Sequence, residues 1–265
     1  MAMRLATWNI NSLNVRLPQV LDWLNARAQL GAAVDVVALQ ELKLTDDKFP
    51  LEAFTQIGYH AQWFGQKTYN GVAILSREPV TGVVKNIPGF DDDMARVISV
   101  TAASSHGPIR VIGAYFPNGQ APGSDKFEYK MNWLKGLRTW IKSELNQYPN
   151  LVLMGDFNIT FDDDDVWDPV GLADTIHCTE EERYHLRALV ALGLVDSVRL
   201  FQQPPRCYSW WDYRNFAFNR NHGLRIDHIL VTKALTPLVR ACAVDITPRK
   251  NERPSDHAPV VIDIV

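Results

Sequence analysis

Several stretches of this chain end an apolar run on a carboxylate or a carboxamide. The stretch LVLMGDFNIT (151–160) places Asp156 and Asn158 after four apolar residues and Gly155, and VDVVALQE (34–41) ends on Glu41. A turn is the simpler explanation for any one stretch, because Gly, Asp and Asn favour turns. The alternative is a functional site built where buried strands end.

Further polar or ionisable residues follow other apolar runs. They are Asn9 and Asn11 in TWNIN, Tyr115 and Asn118 in AYFPN, Asp227 in RIDH, and Asp256 and His257 in PSDHAP. Each one alone has an ordinary interpretation, such as a turn asparagine, a surface ion pair, a half-buried tyrosine with a satisfied hydroxyl or a partly buried histidine. The recurrence of the pattern favours the functional interpretation.

Together these side chains suit hydrolysis of a phosphodiester with a hard divalent ion. Oxygen ligands without a Cys/His cluster are typical of Mg²⁺ or Mn²⁺ sites. A histidine paired with an aspartate can be held in one tautomer or stabilised as an imidazolium. Asn and Tyr side chains can hold a phosphate oxygen or an attacking water. The set predicts hydrolysis without a covalent intermediate.

The bulk composition is that of a globular protein. The chain has 265 residues, 46% of them apolar and 22% charged, with a formal net charge of −3. Contact with a polyanion must therefore come from local patches or a metal ion. Three scattered cysteines predict a reducing compartment. With no signal-peptide core and no membrane-length apolar run, we expect a cytoplasmic protein that makes no membrane contact.

Hydrophobic periodicity predicts strand-rich blocks with helices between them. The predicted helices cover 17–28, 124–147 and 179–193, the last with a capping box of Thr179 and Glu182. The predicted strands cover 4–9, 34–41, 59–64, 71–76, 81–87, 95–102, 109–116, 150–156, 225–231, 239–246 and 258–265. No repeat or linker divides the chain, so we predict one domain over residues 1–265. This arrangement indicates two packed sheets with helices outside.

The motifs also resemble a known family. TWNINSLNVRL, LQELKL, NGVAILS, AYFPNG, LMGDFNI, GLRIDHIL and ERPSDHAPV resemble, in order, the motifs of the exonuclease III/AP endonuclease family of the endonuclease–exonuclease–phosphatase superfamily. Any one motif is weak, but the ordered set covers the chain from residue 6 to its end. The resemblance implies an α/β fold, a four-layer sandwich of two mixed β-sheets packed face to face with helices outside. It also implies a monomer.

The resemblance assigns a metal site. Glu41 matches the principal metal ligand, Asn9 stands beside the ion, and Asp256 matches a metal-site acid. Asn11 stands where some relatives carry an acid. The implied cofactor is Mg²⁺, with Mn²⁺ as a substitute.

The resemblance also assigns catalytic roles. Asp156 matches the aspartate that activates or orients the attacking water, and Asn158 helps to position that water. Tyr115 and His257 match residues that contact the scissile phosphate, and Asp227 holds His257. These roles agree with the need to neutralise the phosphate charge and to place a base near the water.

Aromatic and basic residues alternate in CYSWWDYRNFAFNRNHGLR (207–225). Such a segment suits stacking on bases or an unpaired sugar together with contacts to backbone phosphates. A loop with buried aromatics is the alternative, and we expect a mixture of the two. The predicted DNA contacts are Asn118, Lys67, Asn70, Arg96, Trp210, Trp211, Arg214, Arg225 and His177. We also predict that His177 and the loop 117–126 set the balance of endonuclease and exonuclease activity.

Two acidic runs, residues 91–93 and 162–165, are expected to be solvated loops away from the DNA path. The implied function is a DNA repair nuclease on duplex DNA with abasic sites or 3′ ends. It would incise beside abasic sites, remove 3′ blocking groups and degrade 3′ ends. A superfamily phosphatase or phosphodiesterase acting on a lipid or inositol phosphate is the alternative. A binding module without catalysis would lack Glu41, Asp156, Asp227 or His257, and all four are present.

Overall fold

Two six-stranded β-sheets form the centre of the structure, a computed structural model that describes residues 3–265. In chain order the strands are β1 (Met3–Asn9), β2 (Val36–Gln40), β3 (His60–Phe64), β4 (Val72–Ser76), β5 (Thr81–Lys85), β6 (Val97–Ala102), β7 (Ile109–Tyr115), β8 (Leu151–Asp156), β9 (Leu194–Asp196), β10 (Asp227–Thr232), β11 (Val239–Val244) and β12 (Val260–Ile264). The α-helices are α1 (Leu13–Gln29), α2 (Leu51–Gln56), α3 (Asp125–Gln147), α4 (Glu180–Val190) and α5 (Ala217–Arg220).

The two sheets have related strand orders. The first runs β11-β12-β1-β2-β4-β3 and the second runs β5-β6-β7-β8-β10-β9. The pairs β1/β2 and β7/β8 are parallel, and the other neighbours are antiparallel. Both sheets are therefore mixed, as predicted. Within each parallel pair the carboxyl ends lie at one edge of the sheet, so residues that follow these strands come together.

The inner faces of the two sheets pack against each other. Val36, Ala38 and Ile74 of the first sheet share one buried cluster with Val111 and Met154 of the second. At Gly113 on β7 an added Cβ would lie 3.0 Å from the Cβ of Ala38, so the central strands approach too closely for a larger residue.

Helices cover the outer faces of both sheets. Trp23 of α1 and Phe54 of α2 pack on the first sheet. Trp133 of α3 and Leu186 of α4 pack on the second. The resulting order of helix, sheet, sheet and helix confirms the predicted four layers. Among the described residues, none of the helices combines the length and the apolar character needed to cross a bilayer.

Capping explains where the two helices nearest the strand ends begin. The Ser124 hydroxyl accepts a hydrogen bond from the Phe127 N–H at 3.2 Å, which caps α3. The predicted capping box of Thr179 and Glu182 is present at α4. These caps fix the first turns of α3 and α4, from which side chains reach the loops after β7 and β8.

Some boundaries differ from the predictions. Helix α1 begins at Leu13, not at residue 17, because Leu13 is fully buried and anchors an extra turn. Pro18 therefore lies inside α1 and not in its first turn. Strand β9 and the short helices α2 and α5 were not predicted, since three to six residues are too few to show a period.

Candidate active site

The predicted polar residues meet at one edge of the two-sheet core. Asn9 ends β1 and Glu41 follows β2, whereas Tyr115 and Asp156 end β7 and β8. Tyr115 and Asp156 are register partners in the parallel pair β7/β8. An added Cβ on Gly155 would lie 1.8 Å from the Ala114 carbonyl oxygen. This close approach explains the glycine before Asp156.

Asp156, Asp227 and His257 form a buried series of side chains. Asp227 begins the antiparallel strand β10 directly opposite Asp156. Its Oδ2 lies 2.9 Å from His257 Nδ1, and His257 Nε2 lies 3.7 Å from Asp156 Oδ2. Ser209 Oγ donates to the same Asp227 Oδ2 at 2.7 Å. Asp227 therefore fixes one ring nitrogen of His257 and directs the other towards Asp156.

Asn9 joins the two sheets at this edge. Its Nδ2 donates to Glu41 Oε1 at 2.8 Å and to Asp156 Oδ2 at 2.9 Å. Its Oδ1 accepts the Asn11 N–H at 3.0 Å. One amide therefore holds the two carboxylates beside each other, and its oxygen faces away from them.

Burial and crowding shift the protonation of this group. Burial raises the pKa of Asp156 to about 7; the positive charge of His257 opposes the rise, whereas the charge of Asp227 adds to it. Burial lowers the pKa of His257, but the charges of Asp227 and Asp156 outweigh it and raise the value to about 10. The imidazole is therefore protonated at neutral pH. Burial, with the charges of Glu41 and Asp156, raises the pKa of Tyr115 well above its usual value, so its hydroxyl stays neutral.

A divalent ion fits beside Glu41. Glu41, Asp156 and His257 each place one ligand atom within 4.8 Å of the others. His257 is protonated, which leaves two carboxylates as the donors, and carboxylate oxygens suit a hard ion. Burial is the main cause of the raised pKa of Asp156, with smaller contributions from the charges of Asp227 and Glu41, and a cation between the two carboxylates would lower it. Lys43 Nζ already lies 2.8 Å from Glu41 Oε2, so the site attracts positive charge.

Two other predicted metal residues lie next to this group. Asn11 Nδ2 donates to Asp256 Oδ1 at 2.9 Å, and Trp210 Nε1 donates to Asp256 Oδ2 at 3.0 Å. Asn11 Oδ1 accepts from Lys43 Nζ at 2.6 Å. Both residues are engaged with neighbouring side chains and do not belong to the group that surrounds Glu41. Of the predicted ligands, Asn9 contacts both Glu41 and Asp156, whereas Asn11 and Asp256 contact each other beside them, and the ligand set stays a prediction.

Two asparagines lie next to Asp156. The Asn158 N–H donates to Asp156 Oδ1 at 2.9 Å, and Asn158 Nδ2 donates to the Phe116 carbonyl oxygen at 3.0 Å. Asn118 Nδ2 lies 3.4 Å from Asn158 Oδ1. Asn158 has a left-handed backbone with φ of 51°, and Glu41 has φ of 55°. Such backbone conformations are uncommon outside glycine and cluster at functional positions.

The predicted DNA contacts divide into exposed and engaged residues. Lys67, Asn118 and Arg214 are exposed, and Arg214 pairs with Asp212 at 2.6 Å. Asn70 is buried, and its Nδ2 donates to Gln66 Oε1 at 2.8 Å. Arg96 is half-buried with its guanidinium 5.2 Å from the centre of the Tyr115 ring.

Trp210 and His177 lie beside the catalytic group. Trp210 is half-buried and forms an isolated β-bridge with His257. The His177 ring is 6.3 Å from the Trp210 ring, and its Nδ1 lies 2.7 Å from the Asn158 carbonyl oxygen. Burial and the charge of Lys130 lower the pKa of His177 to about 4, so it is neutral. Together the two rings form a wall beside His257 and Asn158.

Trp211 and Arg225 are corrections to the predicted DNA contacts. Trp211 is buried against Phe218, and its Nε1 donates to Asn221 Oδ1 at 3.0 Å. Arg225 is buried and pairs with Asp165 at 2.7 Å and with Asp196 at 2.8 Å. Neither side chain is available to DNA, because packing and ion pairs enclose both. The segment 207–225 is therefore the expected mixture, with Tyr213 and Phe216 exposed.

The expectation that the acidic run 162–165 is a solvated loop was only partly correct. Asp163 and Asp164 are exposed, as expected, but Asp165 is buried and pairs with Arg225. Arg199 pairs with Asp162 at 2.7 Å. The run therefore anchors a loop through the buried Arg225 and the exposed Arg199.

Two contributing residues were missed by the sequence analysis. Ser209 gave no signal, because its contact with Asp227 depends on a distant strand. Lys130 did have a signal, since it lies three residues after Phe127 on the buried stripe of α3, where a charge is unusual. Its Nζ reaches the Asn158 carbonyl oxygen at 2.8 Å.

Comparisons with known proteins show which family this chain is similar to. A model described as Endonuclease/Exonuclease/phosphatase family matches residues 6–257. Exodeoxyribonuclease III of Haemophilus influenzae is 33% identical over 97% of this chain and 98% of that protein. The structure is similar to the 3′ phosphatase NExo from Neisseria bound to a product DNA hairpin, with 44% identity, 99% of each chain covered and a TM-score of 0.94. It is also similar to an AP endonuclease from Archaeoglobus fulgidus, with 34% identity, 99% of each chain covered and a TM-score of 0.92.

Proposed function

Because the chain belongs to the Endonuclease/Exonuclease/phosphatase family, we propose that it hydrolyses phosphate esters of duplex DNA at abasic sites and 3′ ends. The chain is a nuclease of the exodeoxyribonuclease III and AP endonuclease group. The observation that carries the proposal is the buried contact of His257 with Asp227 and Asp156, next to Glu41. In this proposal, Asp156 is the base, His257 carries the positive charge and Glu41 is the metal ligand, all at one edge of the fold.

Asp156 activates the attacking water in this proposal. Its pKa of about 7 lets it accept a proton near neutral pH, the range in which a general base works best. The Asn158 N–H and the Asn9 amide hold its two oxygens in place. Asp156 therefore needs little reorganisation to accept the proton of a water molecule.

Protonated and neutral donors stabilise the scissile phosphate. His257 carries a positive charge up to a pH of about 10 and is held by Asp227. Tyr115 keeps its hydroxyl proton and can donate it to a phosphate oxygen. The side-chain amides of Asn118 and Asn158 can orient that phosphate or the attacking water. Donors placed in advance in a buried site favour the charge that develops in the transition state.

Glu41 is the residue that would hold Mg²⁺, with Asp156 beside it. When bound, the ion supplies Lewis-acid neutralisation of the phosphate charge. Mn²⁺ offers the same charge and prefers similar oxygen ligands. Lys43 would keep Glu41 oriented through its contact with Oε2.

Duplex DNA would approach the wall beside His257. Half-buried Trp210 and the exposed side chains of Tyr213 and Phe216 offer stacking surfaces near this edge. His177 narrows the space beside Trp210, so it would influence whether an extruded abasic nucleotide or a 3′ end enters. Removing a 3′ phosphate requires less room than accommodating an extruded nucleotide.

The proposal is tested with three DNA duplexes, which carry an internal abasic site, a 3′ phosphate or a recessed 3′ hydroxyl. Each is incubated with Mg²⁺, with EDTA, and with the Asp156→Asn variant. Cleavage should require Mg²⁺ and should fall at least ~100-fold in the variant, the range expected for loss of a general base. Asp22→Asn is the matched control, because Asp22 is an exposed aspartate on α1.

Inositol phosphates and lipid phosphates serve as the competing substrates in the same assay. Efficient hydrolysis of these compounds, with no cleavage of any of the three duplexes, would contradict the proposal. Full activity of Asp156→Asn would contradict the assigned base.

A further inference from the structure

Lys130 is a fully buried lysine in the first half of α3. Its Nζ lies 2.8 Å from the Asn158 carbonyl oxygen and 3.1 Å from the Asn118 carbonyl oxygen, and it contacts Glu182 Oε1. An ammonium group has three N–H donors. Each of these donors therefore has an acceptor, and no part of the group reaches solvent.

We propose that Lys130 is a positioning residue, whose ammonium sets the two asparagines that face the scissile phosphate. It contacts the backbone carbonyl oxygens of Asn118 and Asn158, and the side chains of these two residues meet at 3.4 Å. This inference rests on the proposed function, because it assigns Lys130 a part in the same phosphate ester hydrolysis. Lys130 itself touches neither the substrate nor the attacking water.

Asn158 is the link through which Lys130 acts on the base. Its N–H donates to Asp156 Oδ1, and its Nδ2 donates to the Phe116 carbonyl oxygen. Its carbonyl oxygen is the remaining polar group of its backbone, and Lys130 and His177 hold it from two sides. With φ of 51°, Asn158 needs such contacts to stay in an uncommon conformation.

The contacts of Lys130 form a closed ring of hydrogen bonds with Glu182, His177 and Asn158. Glu182 Oε1, which accepts from Lys130, also accepts the His177 N–H at 3.1 Å. His177 Nδ1 returns to the Asn158 carbonyl oxygen at 2.7 Å. The ring therefore couples the loop after β8, the start of α4 and the wall next to Trp210. A change at Lys130 would displace these parts together.

A lysine at this position is costly, so packing alone does not account for it. Burying an ion pair is often no more stabilising than an apolar pair of similar volume. The stem of Lys130 is tightly enclosed, because an added Cβ on Gly119 would lie 2.9 Å from its Cδ. An apolar side chain could fill this volume but would leave the Asn118 carbonyl oxygen without its donor and the Asn158 carbonyl oxygen with His177 alone. The ammonium is needed for those donors.

The test removes the buried pair as a unit in the variant Lys130→Met/Glu182→Gln. The matched control is Arg110→Met/Glu144→Gln. Arg110 and Glu144 form another buried ion pair of α3, at 2.7 Å, which joins α3 to β7 and touches no site residue. Both variants should lower the melting temperature. Single-turnover cleavage of a 3′-phosphate duplex with Mg²⁺ and the Kd for that duplex in EDTA are measured well below both melting temperatures.

We expect the single-turnover rate to fall ~10- to 100-fold in the Lys130 variant, as misplacement by about 1 Å can cause. Its Kd for DNA should change less than about threefold, since phosphate contacts on the surface remain. The control should cleave at the wild-type rate. Equal single-turnover rates in the two variants would overturn the inference. Weaker DNA binding at an unchanged single-turnover rate would also overturn it.

A third variant keeps the inference testable if the double variant does not fold. Lys130→Arg retains the charge opposite Glu182 but spreads its donors over a planar group. It should lower the single-turnover rate at unchanged Kd, and a wild-type rate would overturn the inference. If wild-type protein cleaves no duplex while Asp156→Asn behaves identically, the proposed function itself has failed.

Discussion

Replacing Asp227 with Asn should move the alkaline limit of activity. His257 Nδ1 lies 2.9 Å from Asp227 Oδ2 in a fully buried environment. The charges of Asp227, then Asp156 and Asp256, raise the pKa of His257 from 6.5 to about 10 against the opposing effect of burial. This difference corresponds to ~5 kcal/mol in favour of the protonated ring.

The magnitude follows from the loss of one buried partner. Breaking a buried charge pair costs ~3–5 kcal/mol, which is equivalent to a pKa change of ~2–4. The pKa of His257 should therefore return to the region of its ordinary value. At pH 8 the protonated fraction would fall from nearly complete to ~3%. If the protonated ring binds the phosphate, the rate at pH 8 falls ~30-fold while the rate at pH 6 changes little.

The assay is the pH dependence of kcat/KM between pH 5.5 and 9.5 on a phosphodiester duplex, whose phosphate does not titrate in this range. The chemical shifts of the His257 ring nitrogens give the pKa directly. An unchanged alkaline limit in Asp227→Asn would refute the reasoning. A loss of activity that is equal at every pH would show that Asp227 acts only through orientation.

Five other measurements check the remaining assignments. The acid limit of activity should lie near pH 7 at low Mg²⁺, because the pKa of Asp156 is raised to about 7, and saturating Mg²⁺ should shift that limit to lower pH. Glu41→Gln should weaken Mg²⁺ activation at least ~10-fold, with unchanged DNA affinity in EDTA as the control. His177→Gly should change the ratio of abasic-site incision to 3′-end removal, and unchanged rates on both substrates would exclude a role for His177. Arg214→Ala should reduce the salt dependence of DNA binding by about one counterion. Arg225→Met should lower the free energy of unfolding by ~3–5 kcal/mol, because Asp165 and Asp196 would lose their buried partner, and should leave DNA affinity unchanged.

The sequence predicted that several polar residues would lie together because their positions follow strand ends. Glu41, Tyr115 and Asp156 each stand where a clear apolar run stops, and the parallel pairs β1/β2 and β7/β8 bring those ends to one edge. The four layers were predictable for the same reason, since the periods of strands and helices are visible in the apolar pattern. Predicting the four layers requires only the apolar pattern and no knowledge of side-chain contacts.

The sequence could not separate surface from interior in the segment 207–225. Trp210 and Trp211 are adjacent, yet one lies beside His257 and the other packs on Phe218. The segment has too little regular structure for a period to assign its faces. From the sequence, Arg225 likewise suits a phosphate contact. Only the structure shows that it pairs with Asp165, sixty residues earlier in the chain.

What the sequence by itself determined is the chemistry available: carboxylates, amides, a tyrosine and a histidine at the ends of apolar segments. Tertiary structure alone decided which groups satisfy one another. In the folded protein, Asn9 donates hydrogen bonds to Glu41 and Asp156. Lys130 donates to carbonyl oxygens of two loops that are far apart in the sequence. The physical reason is that hydrogen bonds and ion pairs depend on contacts between residues far apart in the chain, whereas periodicity reports only the face on which a residue lies.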